Sequence, residues 1–384
     1  MHDIALPAPR TLSRAAWGVR VQFFVAGALF ATWGVHVPTV KAHYALGEQA
    51  LAVAMLAAGV GALFVLMLAG RVIGRHGPRA VVVATGIVCT LVIAALLSSS
   101  AYAALLALML AYGVAASLFD VAVNAEATEL ERMAGRPLMS GFHGMFSLGG
   151  MAGAAAGAAL LAVGLSPQQH LLGAALAGAV AVLAGASAML RLPPKPDFKA
   201  PLSLPRGPLA LIGMLAAMGL IAEGAMYDWS VLYLKQEQGS DQATASLAYA
   251  SFSAAMAAAR FGGDWVRARL TPVALLRASG ALGAAGMALS LLVDSPVVAL
   301  VGFALVGLGF ANVVPVLFSA ASKVPGVTPA HGIAAVSSVG YLGMMAGPPL
   351  IGVIAEQRSL TAGLAVVVLF AVVLALAARR ALPR

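Results

Sequence analysis

Asp120 is the acidic side chain whose position in this sequence points most directly to chemistry. It lies in the segment SLFDVAVNAEATELE, residues 117–131, beside a long apolar run, and Asn124 follows four residues later. Residues spaced i and i+4 share one face of a helix. Because burial favours the uncharged form of a carboxyl group, Asp120 is predicted to take up and release protons. The alternative is a fixed polar pair, in which the acid bonds to a Ser or Asn side chain without exchanging protons.

Two further titratable side chains are candidates for the same proton chemistry. Glu223 lies near the middle of another apolar segment and is predicted to be a second proton-coupling group or a ligand for a cationic substrate. His143 lies roughly 10 Å along a helix from Arg136 and is predicted to face Asp120, since an Asp–His pair can relay protons near neutral pH. The alternative for His143 is a hydrogen bond to a backbone carbonyl group that orients its helix.

Aromatic and polar side chains near these acids are candidates for contact with a substrate. Tyr227, Asp228 and Trp229 are consecutive, and such a cluster suits a sugar because the acid accepts hydroxyl protons while the aromatic rings cover the apolar ring face. The alternative for the two aromatic residues is an interfacial belt. The other predicted substrate contacts are Trp33, His36, Asn124, Phe146, Asn312 and Tyr341.

Some of these polar residues have structural alternatives. His36 has the alternative of a water-stabilised position at the rim of a helix, and Asn312 that of a hydrogen bond to a neighbouring helix. Four other histidines fall in joints or at the ends of apolar segments and are predicted to be surface residues; they are His43, His76, His170 and His331.

The elements that must position these residues are apolar helices. With 61% hydrophobic and 10% charged residues and a mean hydropathy of +0.95, the composition excludes an ordinary soluble domain. Apolar runs of about 18 to 25 residues, the length that spans a bilayer, alternate with short polar joints. Twelve transmembrane helices are predicted, over residues 17–40, 50–70, 80–98, 101–126, 139–163, 170–190, 208–234, 244–265, 272–293, 296–320, 329–355 and 360–379.

The distribution of positive charge predicts the orientation. If both termini are cytoplasmic, all 23 lysines and arginines except Lys41, Lys235 and Arg358 fall on the cytoplasmic side or just inside it, as the positive-inside rule requires. The net charge of +9 is then explained by topology and anionic lipid, and it does not indicate nucleic acid as a partner.

The sequence offers little support for catalysis or cofactor binding. Its single cysteine, Cys89, excludes an internal disulfide and a cysteine-based zinc site. Neither a metal-ligand spacing nor a Ser-His-Asp arrangement is present, so neither enzyme activity nor a cofactor is expected. The first apolar run is long enough to be a spanning helix, in contrast to a cleaved signal peptide.

Two similar halves are predicted. The segment RLPPKPDFKAPLSLPR, residues 191–206, is rich in proline and basic residues and is typical of an extended linker. It separates an N-terminal six-helix bundle, residues 1–190, from a C-terminal one, residues 207–384. SLGGMAG at 147–153 returns as YLGMMAG at 341–347, and AGRVIGR at 69–75 returns as ARFGGD at 259–264. Paired repeats of this kind build transporters in which one half rocks against the other.

The joint GRVIGRHGPR, residues 70–79, resembles the signature loop G-x-x-x-D-R-x-G-R-R of the major facilitator superfamily. Gly74 stands where that family has aspartate, while the second half supplies an acid, Asp264. The resemblance implies the superfamily fold, two pseudo-symmetric bundles with charge contacts that hold a cytoplasmic gate. The residues to which it assigns gating are Gly70, Arg71, Arg75, Gly77, Arg79, Arg260, Asp264 and Arg267.

Four segments resemble the fucose-permease branch of that superfamily, which comprises proton-coupled sugar symporters. They are DVAVN at 120–124, FHGMFSLG at 142–149, EGAMYDWSVLYL at 223–234 and GLGFANVVPVLFS at 307–319. The first helix departs from that branch, because ATWGVHVP at 31–38 has no acid. His143 and Phe146 stand where Gln and Asn are expected in a sugar site, so sugar specificity is not carried over.

The leading interpretation is a multi-pass secondary transporter of the inner membrane that works by alternating access. It would move a small polar solute, a sugar or related metabolite, with protons through Asp120. The alternatives are an exporter or uniporter of another metabolite or of a cationic or amphipathic compound, and a non-transporting membrane sensor. The expected partners are a small-molecule substrate, protons and membrane lipids, and the chain is expected to act as a monomer.

Overall fold

The computed structural model describes residues 9–135, 138–190 and 206–382. Over these ranges the regular structure is helical. The first half contains α1 (Pro9–His43), α2 (Glu48–His76), α3 (Pro78–Ala95), α4 (Tyr102–Ala134), α5 (Met139–Ala162) and α6 (Pro167–Ala188). The second half contains α7 (Pro208–Gln236), α8 (Gln242–Phe261), α9 (Gly263–Arg267), α10 (Pro272–Leu292), α11 (Pro296–Phe310), α12 (Val313–Ala321), α13 (Pro329–Gln357) and α14 (Leu360–Ala381).

Eleven of the described helical stretches are long and apolar enough to cross a membrane, with α11 and α12 counted together as Pro296–Ala321. Helix α8 is not among them, since its sequence includes Gln242, Thr244, Ser246, Ser251 and Ser253. It nevertheless has 20 residues, and it packs between α5 and α11. The all-helical membrane architecture predicted from the sequence is therefore confirmed.

Two of the predicted helices are interrupted. The stretch 244–265 ends as α8 at Phe261 and resumes as the short α9 after Gly262. The stretch 296–320 breaks between Phe310 and Val313. Pro315 explains this second break, because it has no N–H for the carbonyl of Ala311 and its ring would clash with that carbonyl in a continuous helix.

The joint between α2 and α3 consists of one residue. Gly77 has φ +78° and ψ 152°, and Pro78 opens the next helix. A side chain at a positive φ of this kind is strained, so glycine is the residue that lets the chain reverse here. The backbone thus accounts for this glycine of the GRVIGRHGPR joint.

Glycines also set how closely the helices pack. A Cβ atom at Gly149 of α5 would lie 2.0 Å from the carbonyl oxygen of Phe24 in α1, and one at Gly113 of α4 would lie 1.8 Å from that of Ala58 in α2. Small residues allow membrane helices to approach this closely. The resulting van der Waals contacts hold the helices together, since no hydrophobic driving force acts between helices in lipid.

Contacts between the halves occur mainly at two helix pairs, α5 with α8 and α2 with α13. The repeated segments 147–153 and 341–347 lie on α5 and α13, so each half presents its copy of the repeat at one of these pairs. The division into two bundles, residues 1–190 and 207–384, remains a prediction. The predicted linker, residues 191–206, lies outside the described residues except for Arg206.

Short joints connect successive membrane-spanning helices, so these helices alternate in direction. We call the end of the bundle that holds Lys41, Glu48 and Gln236 the Lys41 end, and the opposite end, with Arg132, the Arg132 end. Lys41 and Glu48 form an ion pair of 2.9 Å across the α1–α2 joint, which fixes the position of this joint.

Side chains from both halves close the Lys41 end. Gln242 Nε2 donates to the Val35 carbonyl oxygen at 2.6 Å, and the Gln49 N–H donates to Glu356 Oε2 at 3.1 Å. Each bond joins the first half to the second. The described conformation is therefore held together at this end by polar contacts between the halves.

Candidate functional site

A cavity of about 390 Å³ lies between the two halves, lined by side chains from α1, α2, α4, α5, α7 and α13 among others. Five of the residues predicted from the sequence line it, and the structure brings them together from both halves. They are Trp33, Asp120, Phe146, Asp228 and Tyr341.

Asp120 projects into this cavity from α4 and is exposed there. Asn124 Nδ2 donates to Asp120 Oδ1 at 3.0 Å and to its backbone oxygen at 2.9 Å. The predicted i, i+4 relationship is thus present as a direct hydrogen bond. Tyr341 of α13 lines the same cavity, so the acid of one half and a hydroxyl-bearing side chain of the other border one space.

Asp228 is the second acid of the cavity and comes from α7. The indole of Trp33, in α1, is a polar neighbour of its carboxyl group. Asp228 lies roughly 12 Å from the Lys41 end of its helix, whereas Asp120 lies roughly 27 Å from the same end of α4. The two acids therefore occupy different depths, with Asp228 nearer the closed end.

The predicted Tyr227–Asp228–Trp229 cluster does not form one surface. The Tyr227 hydroxyl donates to Glu223 Oε1 at 3.2 Å, away from the cavity lining. Trp229 is fully buried, and the tip of its ring lies near Gly352 of α13. Consecutive helical residues point about 100° apart, so only Asp228 of the three reaches the cavity. The predicted contacts of Tyr227 and Trp229 with substrate are corrected accordingly.

Glu223 is paired with Arg260. Arg260 Nη2 lies 2.9 Å from Glu223 Oε1, and Arg260 Nη1 donates to Ser147 Oγ at 2.7 Å. The ion pair joins α7 to α8, and the serine bond continues it to α5 of the other half. Arg260 was expected to be a gate charge, and Glu223 a proton-coupling group or a ligand for a cationic substrate. In this conformation the two side chains pair with each other.

His143 is exposed, and its described ring contact is an edge-on approach to Phe23 at 5.1 Å between centroids. The charged group near it is Arg260. The expected pairing of His143 with Asp120 is thus not found among the described contacts. Its ring is turned toward α1 and the Arg260 cluster.

His36 and His170 form a buried pair. His36 Nε2 and His170 Nδ1 lie 2.8 Å apart, and their exposed fractions are 0% and 3%. This corrects two predictions, that His36 contacts substrate and that His170 lies at the surface. The pair ties α1 to α6 near the Lys41 end.

Asn312 occupies the break between α11 and α12 and does not line the cavity. Its Oδ1 would lie 2.9 Å from a Cβ atom at Gly263. Asn312 therefore does not make the predicted contact with a substrate in the cavity. It lies where the interrupted helix meets the α8–α9 break.

Glu126 is a buried polar residue that the sequence analysis missed. It is fully buried, and its Oε1 accepts the Leu190 N–H at 2.6 Å. The sequence does carry a signal for this burial. Glu126 belongs to a series spaced by four residues with Leu118, Ala122 and Leu130, which are all buried. Glu126 holds the end of α6, where the linker begins.

The other residues predicted to gate lie at the Arg132 end. Gly70, Arg71 and Arg75 are in the last turns of α2, Arg79 is in the first turn of α3, and Arg267 ends α9. Arg71 and Arg75 are exposed. The side chain of Asp264 lies outside the described part of the chain.

Among the described residues, no group of three or more His, Cys, Asp or Glu side chains is placed to hold a metal ion.

Comparison with known proteins gives a consistent result. The family model described as Major Facilitator Superfamily matches residues 20–332. An uncharacterised MFS-type transporter of Yersinia pestis is 35% identical over 361 residues, which cover 94% of each chain. A D-xylose-proton symporter structure superposes with a TM-score of 0.78 at 13% identity, over 97% of this chain and 98% of that one. The nucleoside transporter NupG gives a TM-score of 0.75 at 16% identity, over 96% and 100%. At these identities the two structures show the fold alone.

Proposed function

This chain belongs to the major facilitator superfamily, and from that premise we propose that it is a secondary transporter which carries a small organic solute through the cavity, coupled to protons at Asp120. It is a multi-pass membrane transporter and, like its family, not an enzyme. The proposal places it in the inner membrane with both termini cytoplasmic, as the distribution of its basic residues favours.

The observation that carries the proposal is the position of Asp120. It is an acid on the cavity surface whose described hydrogen-bond partner is the neutral Asn124. Glu223, by contrast, has the permanent cation Arg260 beside it. The charge of an acid beside a fixed cation is already compensated, whereas an acid with only a neutral donor can gain that compensation from a proton. Asp120 therefore fits proton coupling better than Glu223 does.

Alternating access is supported by where the halves touch. The bonds of Gln242 and Glu356 to the first half close the Lys41 end. The α5–α8 pair carries the Arg260–Ser147 bond. In a rocking movement the halves separate at one end, which breaks such contacts there, while the cavity stays between the halves.

The sugar expectation rests on the resemblance to sugar symporters, and the cavity lining gives it little support. Leucine, methionine and aromatic side chains dominate the lining, and no Asn, Gln, Lys, Arg or His is among its described residues. A sugar hydroxyl buried without a partner loses free energy. The lining favours the solute class of the second candidate, an amphipathic or cationic compound.

The test is transport in proteoliposomes. A thermal-shift screen of sugars, nucleosides, amino acids and organic amines selects a solute, since ligands stabilise the state they bind. We expect wild type to move that solute against its gradient when a pH gradient is imposed. Asp120→Asn should abolish this uphill movement and keep solute exchange within about threefold of wild type.

Asp294→Asn is the matched control, because Asp294 is an exposed acid in the joint before α11. It should behave as wild type in both assays. Uphill movement that survives in Asp120→Asn would refute the coupling role of this residue.

A further inference from the structure

We infer that the solute is an organic cation with an apolar body, and that Asp228 and Trp33 form its binding subsite at the closed end of the cavity. The inference rests on the proposed transport function and adds the substrate class. It assigns Asp228 to the substrate and leaves Asp120 to the proton.

Charge is the first argument. The two acids Asp120 and Asp228 line the cavity, and none of its described lining residues is Lys, Arg or His. A cleft lined by charge of one sign with low-dielectric walls concentrates the opposite charge. Such a cavity attracts a cation and disfavours an anion.

The surroundings of Asp228 are the second argument. Arg260 compensates the charge of Glu223, but the groups described near the Asp228 carboxyl group are the uncharged side chains of Trp33, Tyr112 and Tyr249. A buried carboxylate is costly unless a cation or several hydrogen bonds compensate it. A substrate ammonium group would supply that missing charge.

The aromatic side chains give the third argument. Trp33, Tyr112, Phe30 and Phe146 line the same cavity as Asp228. A cation over an aromatic face is attracted by the ring quadrupole, most strongly by Trp, and more strongly when water is excluded. An acid combined with aromatic rings is the chemistry that recognises ammonium groups, including quaternary ones that cannot donate hydrogen bonds.

The rest of the lining describes the body of the solute. Met55, Met109, Met344 and Met345 line the cavity, and methionine side chains adapt to irregular apolar shapes. The volume of about 390 Å³ lies within the range of roughly 300–1,000 Å³ typical of small-molecule sites. A ring or branched alkyl group attached to one ammonium group fits this description.

Asp120 and Asp228 differ by roughly 15 Å in their depth along the bundle. One ammonium group cannot bridge that distance, so a monocation bound at Asp228 leaves Asp120 free for a proton. This arrangement lets the solute and the proton occupy the cavity independently.

The test compares benzyltrimethylammonium with its uncharged isostere neopentylbenzene, in which carbon replaces the cationic nitrogen. With full-length protein in detergent, we expect the cation to bind at least tenfold more tightly than the isostere. Asp228→Asn should lower the affinity for the cation at least tenfold and change the affinity for the isostere less than twofold. Asp228→Glu should recover part of the lost affinity for the cation. Asp294→Asn, which removes an exposed acid outside the cavity lining, should retain cation binding within threefold of wild type.

Equal binding of cation and isostere by wild type would overturn the inference, and this comparison needs no variant to fold. Thermal unfolding and gel filtration establish that Asp228→Asn is folded, with Asp294→Asn as the control for removing an acid. Proton-driven accumulation of xylose or a nucleoside that Asp228→Asn leaves intact would also overturn the inference while the proposed transport function stands. Cation binding that depends on Asp228, without proton-driven accumulation of any solute, would sustain the inference and refute the coupling proposal.

Discussion

Glu223 and Arg260 form an ion pair of 2.9 Å between α7 and α8, and the same guanidinium group reaches Ser147 of α5 in the opposite half. The pair therefore has two consequences. It neutralises the acid in the middle of α7, and it links the two halves through one arginine. Both can be measured separately, because the carboxylate and the serine bond different nitrogen atoms of the guanidinium group.

Replacement of Glu223 by Gln should destabilise the protein, because it leaves the Arg260 charge without its counter-ion. Removing one partner of a buried pair costs about 3–5 kcal/mol, whereas replacing both partners by apolar residues is often neutral. Thermal unfolding in detergent should therefore place Glu223→Gln well below wild type and the double variant Glu223→Leu/Arg260→Met much closer to it. A Glu223→Gln protein of wild-type stability that fails in proton-driven transport would restore Glu223 as a coupling group.

Replacement of Ser147 by Ala should weaken the described conformation relative to its alternative, because it removes the bond from Arg260 across the halves. A hydrogen bond to a charged group contributes about 1.5–3 kcal/mol, which corresponds to a shift of about tenfold or more between two conformations. Spin labels at Ala80 and Ala268, exposed residues of the two halves at the Arg132 end, where α5 begins and α8 ends, should report a larger fraction of long distances in a Cys89→Ser background.

Ser187→Ala is the matched control for that measurement. Ser187 is exposed, and its hydroxyl donates to the carbonyl of Ala184 within α6, so its loss leaves the contacts between the halves intact. Its distance distribution should equal that of the parent. Identical distributions for Ser147→Ala and the parent would show that the serine bond does not select the conformation.

Replacement of Gly77 by Ala should lower stability, because the backbone there has φ +78°. A non-glycine residue held in such a region costs about 1–3 kcal/mol. Gly173→Ala, within α6, is the control: its Cβ atom would meet nothing within 4 Å, and alanine is the better helix former. We expect Gly77→Ala to unfold at a lower temperature and Gly173→Ala at the same or a slightly higher one. The opposite order would refute the strain argument.

Local relationships were predictable from the sequence and distant ones were not. Asp120 and Asn124 share a helix face as predicted, because four residues make about one helical turn, and their side chains are bonded there. Glu223 and Arg260 are 37 residues apart and His36 and His170 are 134 apart, so their pairing depends on how whole helices are rotated and packed. Apolar composition predicts a spanning helix but says little about which face turns inward.

One error was avoidable from the sequence. Tyr227, Asp228 and Trp229 were grouped because they are adjacent, although helical geometry separates their directions by about 100° per residue. The same periodicity, applied to residues 118–130, would have predicted that Glu126 is buried with Leu118 and Ala122.

Cys89 should report occupation of the cavity. It is the single cysteine of the chain, and it lines the cavity together with Trp33, Tyr112 and Asp228. Because the thiol is only 5% exposed, N-ethylmaleimide should modify it slowly, and a solute bound at the Asp228 subsite should slow the reaction at least threefold by excluding the reagent. Mass spectrometry of the intact protein measures the rate, and Cys89→Ser should show no adduct. Protection by benzyltrimethylammonium that is lost in Asp228→Asn would place the solute in this cavity, whereas equal rates with and without a solute already shown to bind would place it elsewhere.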